Sequence, residues 1–282
     1  MKMLVTGVNG QLGYDVVNEL KKRGVDCISA SRNDFNITDF KSTEKFIEYT
    51  KPDIIIHCAA YTAVDKAEDE PDLCYKTNVD GTKNIAIMCK KIGAAMVYIS
   101  SDYVFGGNGA EPYEINDITE PLGIYGKTKL LGENVVKELL EKYFIIRTSW
   151  VFGKNGNNFV KTMLKIGRER DLVRVVCDQI GSPTYTPDLA RLICDMVETQ
   201  KYGVYHATNE GYCSWADFAA EIFKIAGYNT SVEYIPTSEY PTKAVRPFNS
   251  RLSKKSLDKA GFKRLPDWKN ALTRFLNSSN AL

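Results

Sequence analysis

The stretch from Met3 to Gly24, "MLVTGVNGQLGYDVVNELKKRG", joins a short apolar run to an amphipathic one through Gly7, Gly10 and Gly13. Glycine costs a helix roughly 1 kcal/mol relative to alanine, so three glycines here need a reason. Between a first strand and the helix that follows it, glycines let backbone approach a pyrophosphate, and the free N–H groups at the helix start favour an anion. The spacing GxxGxxG is weak by itself, because glycines also serve plain turns. Placed between a strand pattern and a helix pattern it marks a dinucleotide site.

The alternation continues along the chain. The apolar runs "VDCISAS", "DIIIHCAA", "AAMVYIS" and "YFIIRTSWVFG" are separated by the helical patterns "FKSTEKFIEYT", "NVDGTKNIAIMCKKIG" and residues 125–141. Continuous apolar strands between helices predict an α/β fold with a doubly wound parallel sheet covered on both faces. This dinucleotide-binding domain is expected over residues 1–152. Beyond it, residues 153–282 are expected to form mainly a smaller, partly interleaved substrate-binding domain, with segments near 186–208 returning to the first. From Tyr234 onward the chain is rich in Pro and polar residues, as loops covering a site are.

Composition excludes several classes of function. With 37 Lys and Arg against 35 Asp and Glu the net charge is +2, which gives no reason to expect nucleic acid or an anionic membrane as partner. No apolar run approaches the ~20 residues of a membrane helix, and the N-terminus lacks a secretory pattern. The seven cysteines are odd in number and form no CxxC pair, which fits thiols in a reducing cytoplasm. His57 and His206 are the two histidines and neither lies near a cysteine in sequence, so no metal is expected.

The chemistry concentrates in "SSDYVFGGNGAEPYEINDITEPLGIYGKTKLLGENV". Tyr125 and Lys129 stand four apart in a helical pattern, about 40° apart around the axis and so on one face. A tyrosine phenol titrates near 10 in isolation, and a nearby ammonium favours the phenolate, so Lys129 is expected to lower Tyr125. Ser100 and Ser101 close the strand "AAMVYIS", at the end where open α/β sheets bind ligands. A hydroxyl there can hold a carbonyl oxygen while a tyrosine protonates it. Ser101 is the expected hydroxyl, with Ser100 its stand-in. At the end of the second strand, "SASRNDFNITD" offers Arg32 where an acidic residue would read the ribose of NAD, so the lean is to NADPH with NADH retained. The 105–122 segment, with Gly106, Gly107 and Gly109, has the length and glycines to move.

The ordered set "TGVNGQLG", "CAAYTAVDKAE", "NVDGTKNIA", "ISSDYVFGG", "EPLGIYGKTKLLGE", "RTSWVFG", "DQIGSPTYTPDLA" and "RPFNSRLS" resembles the dTDP-4-dehydrorhamnose reductase family of the extended short-chain dehydrogenase/reductases. The resemblance implies a Rossmann-like fold and NAD(P)H-dependent reduction of the C4 ketone of a dTDP-6-deoxy-4-ketohexose, for rhamnose-containing cell-surface polysaccharide. It implies Ser101, Tyr125 and Lys129 as the catalytic set, with serine where the family often carries threonine. Cofactor contacts are implied at Gly7, Asn9, Gly10, Gln11, Leu12 and Gly13, at Arg32, Asn36 and Ile37, at Ala59, Ala60 and Tyr61, and at Tyr125 and Lys129. Substrate contacts are implied at Ser101, Asp102, Tyr103, Tyr125, Trp150, Arg246 and Arg251. Tyr103 and Trp150 could equally be core residues, and the two arginines surface ones. A homodimer is included among the expectations. Two other readings stand beside this one: a nucleotide-sugar epimerase or dehydratase of the same superfamily, and a non-catalytic regulatory subunit like that of methionine adenosyltransferase.

Overall fold

The computed structural model describes residues 1–278. The chain runs β1 (Met3–Thr6), α1 (Gln11–Lys22), β2 (Cys27–Ala30), α2 (Phe40–Thr50) and β3 (Ile54–His57), then the short helices α3 (Val64–Ala67) and α4 (Pro71–Tyr75). A π-helical turn at Lys76–Asp80 leads into α5 (Gly81–Ile92), followed by β4 (Ala95–Ser101), α6 (Ile124–Leu139) and β5 (Tyr143–Thr148). The remainder comprises β6 (Val151–Phe152), α7 (Phe159–Gly167), β7 (Leu172–Val176), β8 (Ile180–Gly181), β9 (Thr184–Tyr185), α8 (Thr186–Val197) and β10 (Gly203–His206). It ends with β11 (Cys213–Ser214), α9 (Trp215–Ala226), β12 (Ser231–Ile235), α10 (Lys255–Ala260) and α11 (Trp268–Ser278).

Six of these strands form one parallel sheet in the order β10-β5-β4-β3-β1-β2. Side-chain alternation sends Met3, Val5, Ile54, Ile56, Val97, Phe144 and Ile146 to one face, where α1 and α8 cover them. Leu4, Ile55, Met96, Tyr98 and Ile145 go to the other, under α2, α5 and α6. Both faces are therefore apolar, which is why the strands read as unbroken hydrophobic runs.

The chain leaves β1 in one direction to reach β2 and returns to place β3 on the other side of β1. The crevice at the carboxyl ends of β1 and β3 is thus the switch point where open α/β sheets bind ligands. Gly7 makes it narrow. Its φ is +70°, and a Cβ there would stand 2.6 Å from the Ala59 nitrogen. A Cβ on Gly13 would stand 2.5 Å from the Gly7 oxygen, so two of the three glycines are required by close packing of the turn.

Two expectations from sequence need correction. The run "YFIIRTSWVFG" is two strands, because Trp150 takes a left-handed φ of +48° and breaks the ladder between β5 and β6. The C-terminal stretch also holds more than loops. Trp268, Ala271, Leu272, Phe275 and Leu276 recur at helical spacing along α11 and bury in a second core with Phe152, Phe218 and Phe223. The 105–122 segment is fastened by backbone bonds: Asn249 N–H to Gly107 O at 2.9 Å, Tyr113 N–H to Arg251 O at 2.9 Å and Ser253 N–H to Tyr113 O at 2.9 Å.

Helix α6 lies unusually close to β4. A Cβ on Gly126 would stand 2.2 Å from the Tyr103 carbonyl oxygen, and one on Gly132 would stand 2.2 Å from Tyr98 Oη. Because the obstacle at Gly126 is backbone, Gly126→Ala is expected to destabilise the fold by about 1–3 kcal/mol. A urea midpoint unchanged from wild type would contradict this close approach.

Candidate active site

Strand alternation separates the two serines that end β4. Ser100 Oγ donates to Glu133 Oε1 at 2.6 Å, and Glu133 is held by Arg147 through Nε at 2.8 Å and Nη2 at 2.8 Å. Arg147 also donates to the Ile115 carbonyl at 3.1 Å, tying the 105–122 segment to α6. Burial works to raise the Glu133 carboxyl, yet the paired Arg147 holds it below its ordinary value. Ser100 is committed to this buried network, so it does not stand in for Ser101.

Ser101 faces the other way. Its hydroxyl donates to Asp102 Oδ1 at 2.8 Å, accepts from the Tyr103 N–H at 3.2 Å and lies against the Tyr125 phenol. Tyr125 and Lys129 sit in the first turns of α6, whose start is fixed by Glu68, as the Ile124 N–H donates to Glu68 Oε1 at 2.8 Å. The Tyr125 ring meets the Tyr103 ring edge to face at 5.5 Å. Arg246 donates to the Tyr103 hydroxyl at 2.9 Å and to Asp65 Oδ2 at 2.5 Å. Asp65 and Glu68 are positioning residues that the sequence pattern did not single out. Their only signal was their place in "YTAVDKAE", between the cofactor crevice and α4.

The electrostatics differ from expectation. Burial pushes the Tyr125 phenol well above its usual 10, the Asp102 carboxyl adds to this, and the Ser101 hydroxyl works against it. Lys129 is not among the groups that chiefly shift it. Burial pushes the lysine itself down to about 7, with Glu133 opposing, and its Nζ lies 4.1 Å from the Tyr98 ring centroid. Burial likewise pushes Asp102 up to about 6. His57, bonded to Thr6 at 2.9 Å, is pushed down to about 3 by burial and stays neutral beneath the crevice.

Around the glycine turn, α1 follows Gly10, which supplies no side-chain cap, so the first N–H groups of the helix have no capping side chain. Asn155 donates to the Asn9 oxygen at 2.8 Å and the Gly10 oxygen at 3.2 Å, while Asn158 donates to Gln11 at 2.9 Å. Leu12 is buried in the core beneath the turn. At the end of β2, the Asp34 carboxylate folds back onto Ser31, accepting its N–H and hydroxyl at 2.7 Å. That leaves Arg32 exposed and without an ion pair or hydrogen bond among the described residues. Asn36 accepts from Thr38, and Ile37 packs against Gly81. Ala59 donates to Thr6, Ala60 follows it, and the Tyr61 backbone N–H and C=O both bond the side-chain amide of Asn78, whose Nδ2 also donates to Thr128 on α6 at 3.1 Å. Asn78 sits in the π-helical turn and thereby pins the crevice floor to the tyrosine helix.

Trp150 stacks on Trp215 with centroids 3.7 Å apart. Arg251 is turned to Asn249, donating at 2.8 Å, whereas Arg246 joins the tyrosine pair. The two arginines of "RPFNSRLS" are therefore not equivalent.

A parallel sheet with a glycine turn at its switch point, beside a strand-end hydroxyl, a tyrosine and a lysine, defines a Rossmann-fold oxidoreductase. The chain belongs to the family described as RmlD substrate binding domain, whose model matches residues 1–281. The spore coat polysaccharide biosynthesis protein SpsK of Bacillus subtilis is 41% identical, covering 99% of this chain and 98% of that one. The dTDP-4-dehydrorhamnose reductase of Aggregatibacter actinomycetemcomitans is 40% identical, covering 96% and 97%. Among solved structures, a dTDP-4-dehydrorhamnose reductase from Clostridium acetobutylicum is 44% identical with a TM-score of 0.96, covering 98% of this chain and 99% of that one. One from Bacillus anthracis, solved in complex with NADP, is 44% identical with a TM-score of 0.96, covering 98% of each. A Thermus thermophilus UDP-glucose 4-epimerase, 18% identical with a TM-score of 0.85, shares the fold.

Two measurements check this geometry. Arg147→Met would leave Glu133 buried and unpaired, which is expected to cost about 3–5 kcal/mol in a urea melt; a loss under 1 kcal/mol would contradict the network. Lys129 titrates at about 7 when folded against 10.5 for the free side chain, so between these values the unfolded state binds more protons. Wild-type stability relative to Lys129→Met is therefore expected to rise with pH through that window, the burial cost being complete below it. A pH-independent difference would mean the ammonium is not buried as described.

Proposed function

We propose that the chain reduces the C4 ketone of dTDP-4-dehydro-L-rhamnose to dTDP-L-rhamnose with NADPH, and with NADH as a second donor, for rhamnose-containing cell-surface polysaccharide. One observation carries the reading: a buried phenol whose pKa lies far above neutral, set beside a strand-end hydroxyl at the switch point of the sheet. Such a phenol is protonated at working pH, which suits the donor of a proton to a ketone oxygen that is becoming an alkoxide. Family membership and the relatives' names supply the substrate class.

The residues divide the work. The uncapped start of α1, with Gly7 and Gly13 clearing space behind it, suits a pyrophosphate, and unpartnered Arg32 suits a 2′-phosphate. NADPH, when bound, supplies the hydride. Lys129 would hold the nicotinamide ribose, whose neutral hydroxyls can accept hydrogen bonds from its ammonium and so favour the charged form. Tyr125 donates the proton, and Ser101 fixes the ketone oxygen beside it. Tyr103 and Trp150 offer aromatic faces to the apolar side of the deoxyhexose. Arg246, with Asp65 behind it, takes the diphosphate, and Arg251 lies further along the same segment. Residues 1–152 with 186–208 form the cofactor half of this arrangement. The reading places the protein in the cytoplasm, its free cysteines suiting a reducing compartment. It also includes a homodimer, for which exposed Leu73 on α4 and Leu131 on α6 offer apolar surface.

The test is loss of the reduced-nicotinamide absorbance band on a 4-keto sugar made from dTDP-glucose by a dehydratase and a 3,5-epimerase. One NADPH consumed per ketone is expected, with both upstream enzymes required. No net consumption with the sugar rearranged would favour an epimerase, and no turnover with a stoichiometric protein partner would favour a regulatory subunit. In this assay Tyr125→Phe is expected to lower turnover roughly a hundredfold or more while cofactor binding is kept. Arg32→Ala is expected to weaken NADPH more than NADH, and equal weakening would remove Arg32 from 2′-phosphate recognition.

A further inference from the structure

The hydroxyl of Ser101 has one proton and two lone pairs. Its proton goes to Asp102 Oδ1 and one lone pair takes the Tyr103 N–H, so a single lone pair remains toward Tyr125 and the substrate. In this arrangement the serine can accept from an incoming group but cannot donate to a ketone oxygen. A ketone oxygen is an acceptor only. The donor that the proposed reduction needs at Ser101 is therefore occupied by its neighbour.

We propose that Asp102 is a positioning residue that sets the direction of the Ser101 hydroxyl: as a carboxylate it takes the serine's proton, and as a carboxylic acid it donates to the serine and frees that proton for the substrate's ketone oxygen. The inference rests on the reduction proposed above and adds a switch within it. No atom is consumed; one proton is held by Asp102 and one hydrogen bond reverses.

The surroundings of Asp102 fit a carboxyl poised between two states. It is 3% exposed, and Oδ2 makes no close hydrogen bond among the described residues, while the Ser250 and Ser101 hydroxyls and the Tyr103 N–H still favour the anion. The groups facing it are Ser101 from β4, Ser250 from the 248–253 segment, its neighbour Tyr103, and Tyr125 from α6. All are neutral. Arg246 stops at the far side of Tyr103, on its hydroxyl, and Lys129 lies over the Tyr98 ring. With no cation against it among the described residues, burial outweighs the hydrogen bonds from Ser250 and Ser101 and raises the carboxyl to about 6, where both forms are populated near neutral pH.

The same charge acts on Tyr125. An ionised Asp102 raises the phenol further, and the Ser101 hydroxyl works to lower it. Protonation of Asp102 thus removes one obstacle to proton release and returns a donor to the site in a single step.

The experiment is turnover against pH at saturating NADPH and 4-keto sugar for wild type, Asp102→Asn, Asp102→Ala and Ser101→Ala. Wild-type turnover is expected to fall about tenfold from one pH unit below the carboxyl's midpoint to one unit above it. Asp102→Asn, whose amide is neutral and can donate to Ser101 at every pH, loses that fall but keeps any limb due to Lys129. Ser101→Ala loses the part of the fall that passes through the serine and keeps only the part by which the Asp102 charge acts on Tyr125 directly. Asp102→Ala leaves Ser101 undirected, so its turnover falls below that of the Asn variant. A fall of the same size and midpoint in Asp102→Asn would overturn the proposal. If wild type reduces no 4-keto sugar, the reductase reading fails, and the carboxyl–serine contact is judged by 13C NMR titration of labelled aspartate, with Asp102 assigned by its loss in Asp102→Asn. Removing the serine donor in Ser101→Ala is expected to raise the Asp102 midpoint by about one unit, as loss of one hydrogen bond to a buried carboxylate does; an unmoved midpoint would overturn the proposal there too.

Discussion

The site depends on how closely α6 can lie against β4. Tyr125 and Lys129 are useful only if the helix that carries them sits next to the strand that ends in Ser101, and side chains on ordinary helices would hold the two apart. Gly126 and Gly132 remove the side chains at the two points of contact, against the Tyr103 carbonyl and the Tyr98 hydroxyl. The buried Ser100–Glu133–Arg147 network then fixes the helix to β4 and β5. An ion pair at this depth contributes little net stability, because desolvation offsets most of its attraction, but it admits only one geometry. The same Arg147 reaches Ile115, so the segment over the site is tied to the helix within it.

Burial sets the electrostatics of the site. It raises Tyr125 and Asp102 and lowers Lys129, and each shift has desolvation as its largest cause. The direction for Tyr125 suits reduction, where the phenol must arrive protonated. A site arranged to deprotonate an alcohol would need the opposite shift. Lys129 at about 7 is poised to gain its charge when polar groups of a bound ligand replace the low dielectric around it.

Much of the fold was legible because its signals are local. The strand–glycine–helix opening and the alternation of apolar and amphipathic runs follow from side-chain periodicity and from the backbone demands of a tight turn. The placing of Tyr125 and Lys129 together on α6 was legible for a similar reason, since a four-residue spacing on a helix fixes a shared face. What escaped was set by contacts between distant segments. Strand alternation points Ser100 and Ser101 apart, but which of the two meets a buried ionic network depends on Glu133 and Arg147, 33 and 47 residues beyond Ser100. That Arg246 rather than Arg251 meets Tyr103 depends on Asp65 from the other end of the chain. The left-handed Trp150 and the apolar stripe of α11 lay within runs whose composition pointed elsewhere. The sign of the Tyr125 shift was misread because the neighbouring lysine was given the leading part, whereas burial of the phenol itself and the Asp102 carboxyl raise it.

The most direct test of the account follows the hydride itself. NADPH carrying deuterium at the transferred position of the nicotinamide would be turned over with the 4-keto sugar, and the product analysed by NMR and mass spectrometry. One deuterium is expected, bound at C4 of the sugar, with the oxidised cofactor released. Product without deuterium, or deuterium found at C4 while the cofactor returns to its reduced form, would contradict it.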